Sequence, residues 1–165
     1  MKKISTLFKK DPTNLGIVIN EINPENKWVF DEPENVIPTQ KLDGTACAII
    51  NGELYKRYDV KKGKQVPENA IPCQDPDEIT GHWPHWVKCD RNNPNDKWFF
   101  EAFDIIVNPK DGTYELVGPK VQGNVEKYLV HMLVEHGYIR LINTDNWYSF
   151  DGIKTSLERM DIEGI

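Results

Sequence analysis

The chain has 165 residues, 39% of them hydrophobic and 28% charged, with a formal net charge of −6. That length and balance suit one soluble globular domain with a real core, and the acidic surplus excludes a generic nucleic-acid coat. No apolar run is long enough to cross a bilayer, Met1-Lys2-Lys3-Ile4-Ser5-Thr6 lacks a signal-peptide core, and three cysteines do not make a disulfide framework, so no membrane partner and an intracellular, cytoplasmic location are expected.

Residues 1–38 read as irregular, with short strands at Gly16 to Ile19 and Lys27 to Phe30 punctuated by Pro24, Pro33 and Pro38. Pro38 favours an extended approach to Lys41. Lys41-Leu42-Asp43-Gly44-Thr45 then puts a lysine at the lip of a glycine turn that feeds a strand, Thr45 to Ile50. Asn51-Gly52 is a strong hairpin signal and predicts a return strand from Glu53 to Tyr58. With those two as loop residues, Ile50 faces Glu53, Ile49 faces Leu54 and Ala46 faces Arg57. An amine, a carboxylate and a guanidinium then come to one level, where glycine lets a ligand approach.

Such a grouping suits attack by a lysine on a phosphate. A protonated amine is a poor nucleophile, and cationic neighbours or desolvation lower its pKa. Arg57, with Lys56, Lys61, Lys62 and Lys64, supplies positive charge against Asp59 alone and suits the holding of a triphosphate. Charge by itself fits a solvated surface run equally well.

The stretch from Val60 to Lys97 reads as one long loop broken by Pro67, Pro72, Pro76, Pro84 and Pro94. Its Trp83 and Trp86 are expected to pin the loop to the domain, with base stacking as the alternative. Cys73, His82, His85 and Cys89 are thiol and imidazole groups of the kind that bind zinc, but the first gap is unlike common zinc spacings and no Cys-x2-Cys knuckle is present, so no metal site is assigned there.

Trp98 to Val107 is apolar nearly throughout and predicts a doubly covered strand, turning at Asn108 to Gly112 into a second strand, Thr113 to Gly118. Glu101 and Glu115 sit among apolar neighbours, so each needs a partner: a lysine, a ribose hydroxyl or a metal-bound water. Gly118-Pro119 and Gln122-Gly123-Asn124 suggest a backbone kept open for a ligand beside Glu115. A helix is predicted from an Asn124 cap through Val125, Tyr128, Leu129, Met132 and Leu133 to His136, ended by Gly137, with His131 and His136 as bystanders. Tyr138 to Asn143 reads as a strand and Asp151 to Met160 as a short helix. The ending Asp161-Ile162-Glu163-Gly164-Ile165 looks like the opening of a buried strand.

Taken together, these residues resemble the nucleotidyltransferase domain of ATP-dependent RNA ligases, in the superfamily shared with DNA ligases and mRNA-capping enzymes. Lys41-Leu42-Asp43-Gly44-Thr45 matches the Lys-x-Asp-Gly nucleotidyl-acceptor motif, and Tyr55-Lys56-Arg57-Tyr58-Asp59 stands where the family has its arginine. Tyr114-Glu115-Leu116-Val117-Gly118-Pro119 resembles the Glu-hydrophobic-hydrophobic-Gly motif, and Glu163-Gly164-Ile165 the start of Glu-Gly-Ile-Val.

The resemblance implies an α+β fold with antiparallel sheets flanking a nucleotide cleft and a few helices, a ligase-type, ATP-grasp-like nucleotidyltransferase. Lys41 would attack the α-phosphate of ATP, the AMP would pass to an RNA 5′-phosphate, and a 3′-hydroxyl would seal the strand. Gln40, Lys41, Asp43, Gly44, Thr45, Arg57, Glu115 and Glu101 would bind the nucleotide, with Arg57 on ribose or phosphate and Glu115 on the ribose. Glu163 would orient Mg2+ or Mn2+ or its waters. Lys56, Lys61, Lys62 and Lys64 would serve phosphate or RNA, and a monomer is expected. A further family motif with two lysines follows Glu-Gly-Ile-Val, and the chain stops short of it, so 165 residues are expected to be a truncated piece of a longer enzyme. The alternatives are a DNA ligase or a capping guanylyltransferase, which share the lysine chemistry, and a catalytically silent nucleotide- or RNA-binding module.

Overall fold

A computed structural model of the chain describes residues 5–77, 81–141, 147–162 and 164. It is an α+β protein in which antiparallel sheets carry a few short helices. None of the described helices is long and apolar enough to cross a membrane. The chain divides into two compact bodies, residues 42–138 and the described residues of 3–41 with 139–165.

The first body is organised on the predicted hairpin. Strand β3 (Thr45–Ile50) turns at Asn51 and Gly52 into β4 (Glu53–Val60), paired from Ile50–Glu53 to Cys47–Lys56 as the sequence register requires. Both turn residues take positive φ, 52° and 74°, the geometry that makes Asn-Gly favourable there. The Asp111 carboxylate accepts from both their amides at 2.7 and 3.0 Å, tying the tip to the next connection. Four further strands, β5 (Ile71–Pro72), β6 (Trp83–Lys88), β7 (Gly112–Val117) and β8 (Met132–Glu135), complete a sheet of order β5-β6-β4-β3-β7-β8, all neighbours antiparallel.

Successive side chains alternate between the two faces of a sheet. One face gathers Cys47, Ile49, Leu54, Tyr114 and Leu116 into a core that is closed by Phe99 and Ala102 of helix α2 (Lys97–Phe103). Here the sequence reading needs correction, because Trp98 to Val107 was expected as a strand. Asn93 starts a helical turn by accepting from the Asn95 amide, Pro94 follows with no amide to satisfy, and the chain runs from that turn into α2. The supposed loop from Val60 to Lys97 is likewise corrected. Trp83–Lys88 is an interior strand, and Trp86, 5% exposed, is packed as expected.

The helix predicted from Asn124 to His136 does not form. Gln122, Gly123, Asn124 and Lys127 have φ of 42°, 73°, 53° and 58°, left-handed values that a right-handed helix cannot contain. Met132–Glu135 pairs with β7 instead, so sheet formation overrides the local 3.6 spacing. Val125 and Leu129, which the helix would have buried, are exposed.

In the second body, β1 (Phe8–Lys10) pairs with β2 (Val18–Ile22) across an irregularity. The expected strand at Lys27 to Phe30 is replaced by a short helix, α1 (Trp28–Asp31). Helix α3 (Phe150–Met160) forms where a helix was predicted, capped by the Ser149 hydroxyl, which accepts from the Gly152 amide at 3.1 Å. Phe8, Trp147 and Ile153 are its core, with Phe30, Leu141, Phe150 and Leu157 packed around them. Of the strand expected from Tyr138 to Asn143, the described part is a single bridge at Arg140, and residues 142 and 143 lie outside the described residues.

Candidate functional site

The segment leading to Lys41 is extended, as Pro38 implies. The Gln40 amide donates to Ile139 O at 2.9 Å, the Leu141 amide donates to Pro38 O at 3.0 Å, and Thr39 bridges Arg140. The Lys41 amide in turn donates to Gly164 O at 2.8 Å. Backbone bonds therefore hold the lysine in an extended stretch of the second body, and its residue is exposed. Glu163, expected at the metal, lies outside the described residues.

In the first body, Thr45 pairs with Leu116 and Ala46 with Glu115. Continuing the Cys47–Lys56 pairing by one residue sets Arg57 level with Ala46. Arg57, Ala46 and Glu115 thus share the face opposite the core, with the small alanine between the guanidinium and the carboxylate. Their backbone rows are two strand spacings, about 10 Å, apart. Trp86 pairs with Arg57 and extends the same row. The arginine is held by its own strand, with Nε donating to Asp59 Oδ1 at 3.1 Å. Glu115 lies 2.9 Å, Oε2 to Nε2, from His136, which was read as a bystander and is instead the partner this carboxylate required.

Gly44 owes its identity to this packing. A Cβ there would lie 2.3 Å from Leu116 O and 2.7 Å from Glu115 Cγ, so β7 occupies the space that the sequence reading reserved for a ligand. Asp43 is fixed through its amide, which donates to Glu126 Oε1 at 2.9 Å.

Two predicted site residues face elsewhere. Lys56 lies on the core face, opposite its neighbour Arg57, and its ammonium is paired with the buried Asp96 carboxylate. Asp96, 1% exposed, also accepts from the Asp90 amide at 3.0 Å, so Lys56 is committed to an internal ion pair. Glu101 rides on α2 rather than on a strand beside Glu115, and its Oε1 is 2.8 Å from His131 Nδ1. His131 stacks on Trp98 at 4.4 Å, and its Nε2 accepts from the Lys120 amide at 3.3 Å, which assigns the Nδ1 proton to the bond with Glu101. His131 is a packed core group rather than a bystander. Lys61, Lys62 and Lys64 stand exposed in the turn after β4.

The Cys73, His82, His85 and Cys89 series spreads along β6 and its flanks. His85 is buried with Nδ1 2.9 Å from Trp83 O. Burial pushes the Cys89 thiol up to about 12 and raises Cys47 as well, so both stay protonated at neutral pH. Among the described residues, no three His, Cys, Asp or Glu side chains gather as a metal site. An open hollow of about 560 Å3 lies at the hairpin end of the core face, walled by Leu54, Lys88, Arg91, Phe100 and Phe103, and none of the predicted site residues lines it.

Sequence reasoning missed Glu126, His136 and Asp96, whose partners lie 83, 21 and 40 positions away in the chain. The only local signal was the general need of a half-buried carboxylate for a donor.

No protein-family profile matches the chain. It is similar to RNA ligase 1 of Pongo abelii, 25% identical over 178 aligned positions that take in 66% of this chain and 55% of that protein, so the chain spans little more than half the length of this relative.

Proposed function

We propose that this chain carries the adenylyl-accepting part of an ATP-dependent RNA ligase. The observation that carries the reading is the register of β4, β3 and β7. Arg57 and Glu115 flank Ala46 on one sheet face, directly downstream of the Lys41 turn, in the order that the ligase motifs have along the chain. The distant likeness to a protein named RNA ligase 1 supports the substrate class.

In this reading Lys41 loses a proton to solvent and its Nζ lone pair attacks the α-phosphorus of ATP. The bond to the bridging oxygen breaks, pyrophosphate leaves, and a lysyl-AMP phosphoramidate remains. An oxygen of an RNA 5′-phosphate then takes the adenylyl group from the lysine. A 3′-hydroxyl finally attacks that 5′-phosphate, expels AMP and joins the strands. Arg57 fits a phosphate oxygen by its fork of donors, and Glu115, steadied by His136, faces the ribose. Lys61, Lys62 and Lys64 offer exposed charge to the RNA backbone.

Magnesium is the metal implied, since it is commonly bound through one or two carboxylates with substrate phosphates and water filling its shell. That chemistry fits a single carboxylate at Glu163, and the ion would supply charge neutralisation on the phosphates.

The test is incubation with α-labelled ATP and magnesium followed by denaturing electrophoresis. Label that survives denaturation in the wild type and vanishes in Lys41→Ala supports the reading, and equal labelling of the two overturns it. GTP in place of ATP would mark a capping enzyme, and sealing of nicked DNA in preference to RNA a DNA ligase. ATP binding without any covalent label would mark a silent module.

A further inference from the structure

Glu126 has no place in the motifs above, yet three observations gather on it. Its Oε1 accepts from the amide of Asp43, the residue two beyond Lys41, at 2.9 Å. Its Oε2 is shielded from solvent and has no hydrogen-bond partner among the described residues. It is delivered by a strained segment, in which Gln122, Asn124 and Lys127 hold left-handed φ values of 42°, 53° and 58°. Left-handed non-glycine residues persist where the surrounding structure over-determines them, and they concentrate at ligand-binding sites. Here the Asn124 side chain supplies that constraint, accepting from the Tyr128 amide at 2.8 Å and donating to Tyr128 O at 2.9 Å. A relaxed loop would leave Glu126 in water, where both oxygens are satisfied. This one carries a carboxylate into the body and leaves one oxygen without a donor, a costly arrangement unless something else supplies it.

Resting on the nucleotide-binding reading above, we infer that Glu126 is a further ligand residue of the same site. One oxygen braces the turn after Lys41, and the other accepts a hydrogen bond from a donor on the nucleoside half of the substrate, a sugar hydroxyl or the exocyclic amine of adenine. A single missing donor is what such a group supplies. Glu115, the family's candidate for this role, already has one of its oxygens on His136.

Glu126→Gln separates the two functions. The amide oxygen still accepts from Asp43, while the amide nitrogen replaces the acceptor with a donor. The measurement is calorimetric titration with magnesium and α,β-methylene-ATP, which cannot be attacked at the α-phosphorus with loss of pyrophosphate. It is repeated with the 2′-deoxy, 3′-deoxy and 6-deamino forms of that analogue. Glu126→Gln is expected to weaken binding of the parent analogue about tenfold or more. One of the three edited analogues should lose a similar factor on the wild type and lose nothing further on the variant, and its identity names the donor.

Unchanged affinity in the variant overturns the inference, as does an additive loss for all three analogues. Should the variant not fold, the wild type alone decides, because all three edited analogues binding as tightly as the parent also overturns it. Tight binding of the analogue with no label from α-labelled ATP would instead sink the lysyl-AMP reading and leave this one standing. Failure of the wild type to bind any of the four sinks both.

Discussion

Replacing Gly44 by alanine tests whether this glycine serves the ligand or the sheet. The added Cβ would sit 2.3 Å from Leu116 O, 2.7 Å from Glu115 Cγ and 3.1 Å from Glu115 Oε1. An ordinary carbon–oxygen contact begins near 3.4 Å, so strand and turn must part by about 1 Å or more. Leu116 O cannot swing aside as a side-chain tip does, because Leu116 is paired with Thr45 in the ladder and its side chain is buried in the core. Overpacking of this kind costs typically about 1–3 kcal/mol, and a backbone obstacle puts Gly44→Ala near the top of that range, about 3 kcal/mol. For a chain of this size that is a fall of about 6–12 °C in Tm. Thermal and urea unfolding without nucleotide measure it. A variant within about 0.5 kcal/mol of the wild type would refute the packing argument and return Gly44 to the ligand reading.

Other substitutions separate the two faces of the same sheet. Lys56→Met strands the Asp96 carboxylate, and removing one partner of a buried pair costs about 3–5 kcal/mol, which urea unfolding would read. A loss below about 1 kcal/mol, joined to weaker RNA binding, would put Lys56 back among the phosphate contacts. Alkaline pH should weaken the fold through Cys47 and Cys89. Burial raises both thiols above their ordinary value of 9.0, so the unfolded chain sheds these protons first and stability, complete below about pH 9, falls as pH rises towards 12. Each contributes a slope of about 1.4 kcal/mol per pH unit inside that window, and Cys89→Ala should remove one such slope from melts run between pH 8 and 11. An unchanged slope would show that the thiol already ionises in the native state.

The parts that were legible in the sequence are those fixed by local chemistry. Asn51-Gly52 permits a tight reversal with both φ values positive, which set the β3–β4 register one residue at a time. The apolar spacing of Ile153, Leu157 and Met160 marked α3 in the same way. Trp98 to Val107 misled because an apolar run with no polar face has no period to read, and the true signal lay upstream in Asn93-Pro94. The stretch 124–136 misled for the opposite reason. Its spacing is helical, but pairing of Met132–Glu135 with β7 wins over a local preference worth only tenths of a kcal/mol per residue. For the candidate site, hairpin register set Arg57 level with Ala46, whereas the place of Glu115 on the same face comes from the pairing of β7 with β3, which no local spacing gave. Glu126, which holds the Asp43 amide from 83 residues away, and the commitment of Lys56 to Asp96 are products of tertiary packing that no local pattern announces.

The proposed lysyl-AMP chemistry requires that one nitrogen, Nζ of Lys41, become bonded to phosphorus. Intact-mass spectrometry after exposure to ATP and magnesium, followed by peptide mapping under mildly alkaline conditions that preserve a phosphoramidate, tests it most directly. The expected result is a gain equal to one adenylyl group, located on the peptide that contains Lys41 and discharged by added pyrophosphate. An unmodified mass in a chain that binds ATP, or an adduct mapped to any other lysine, would contradict it.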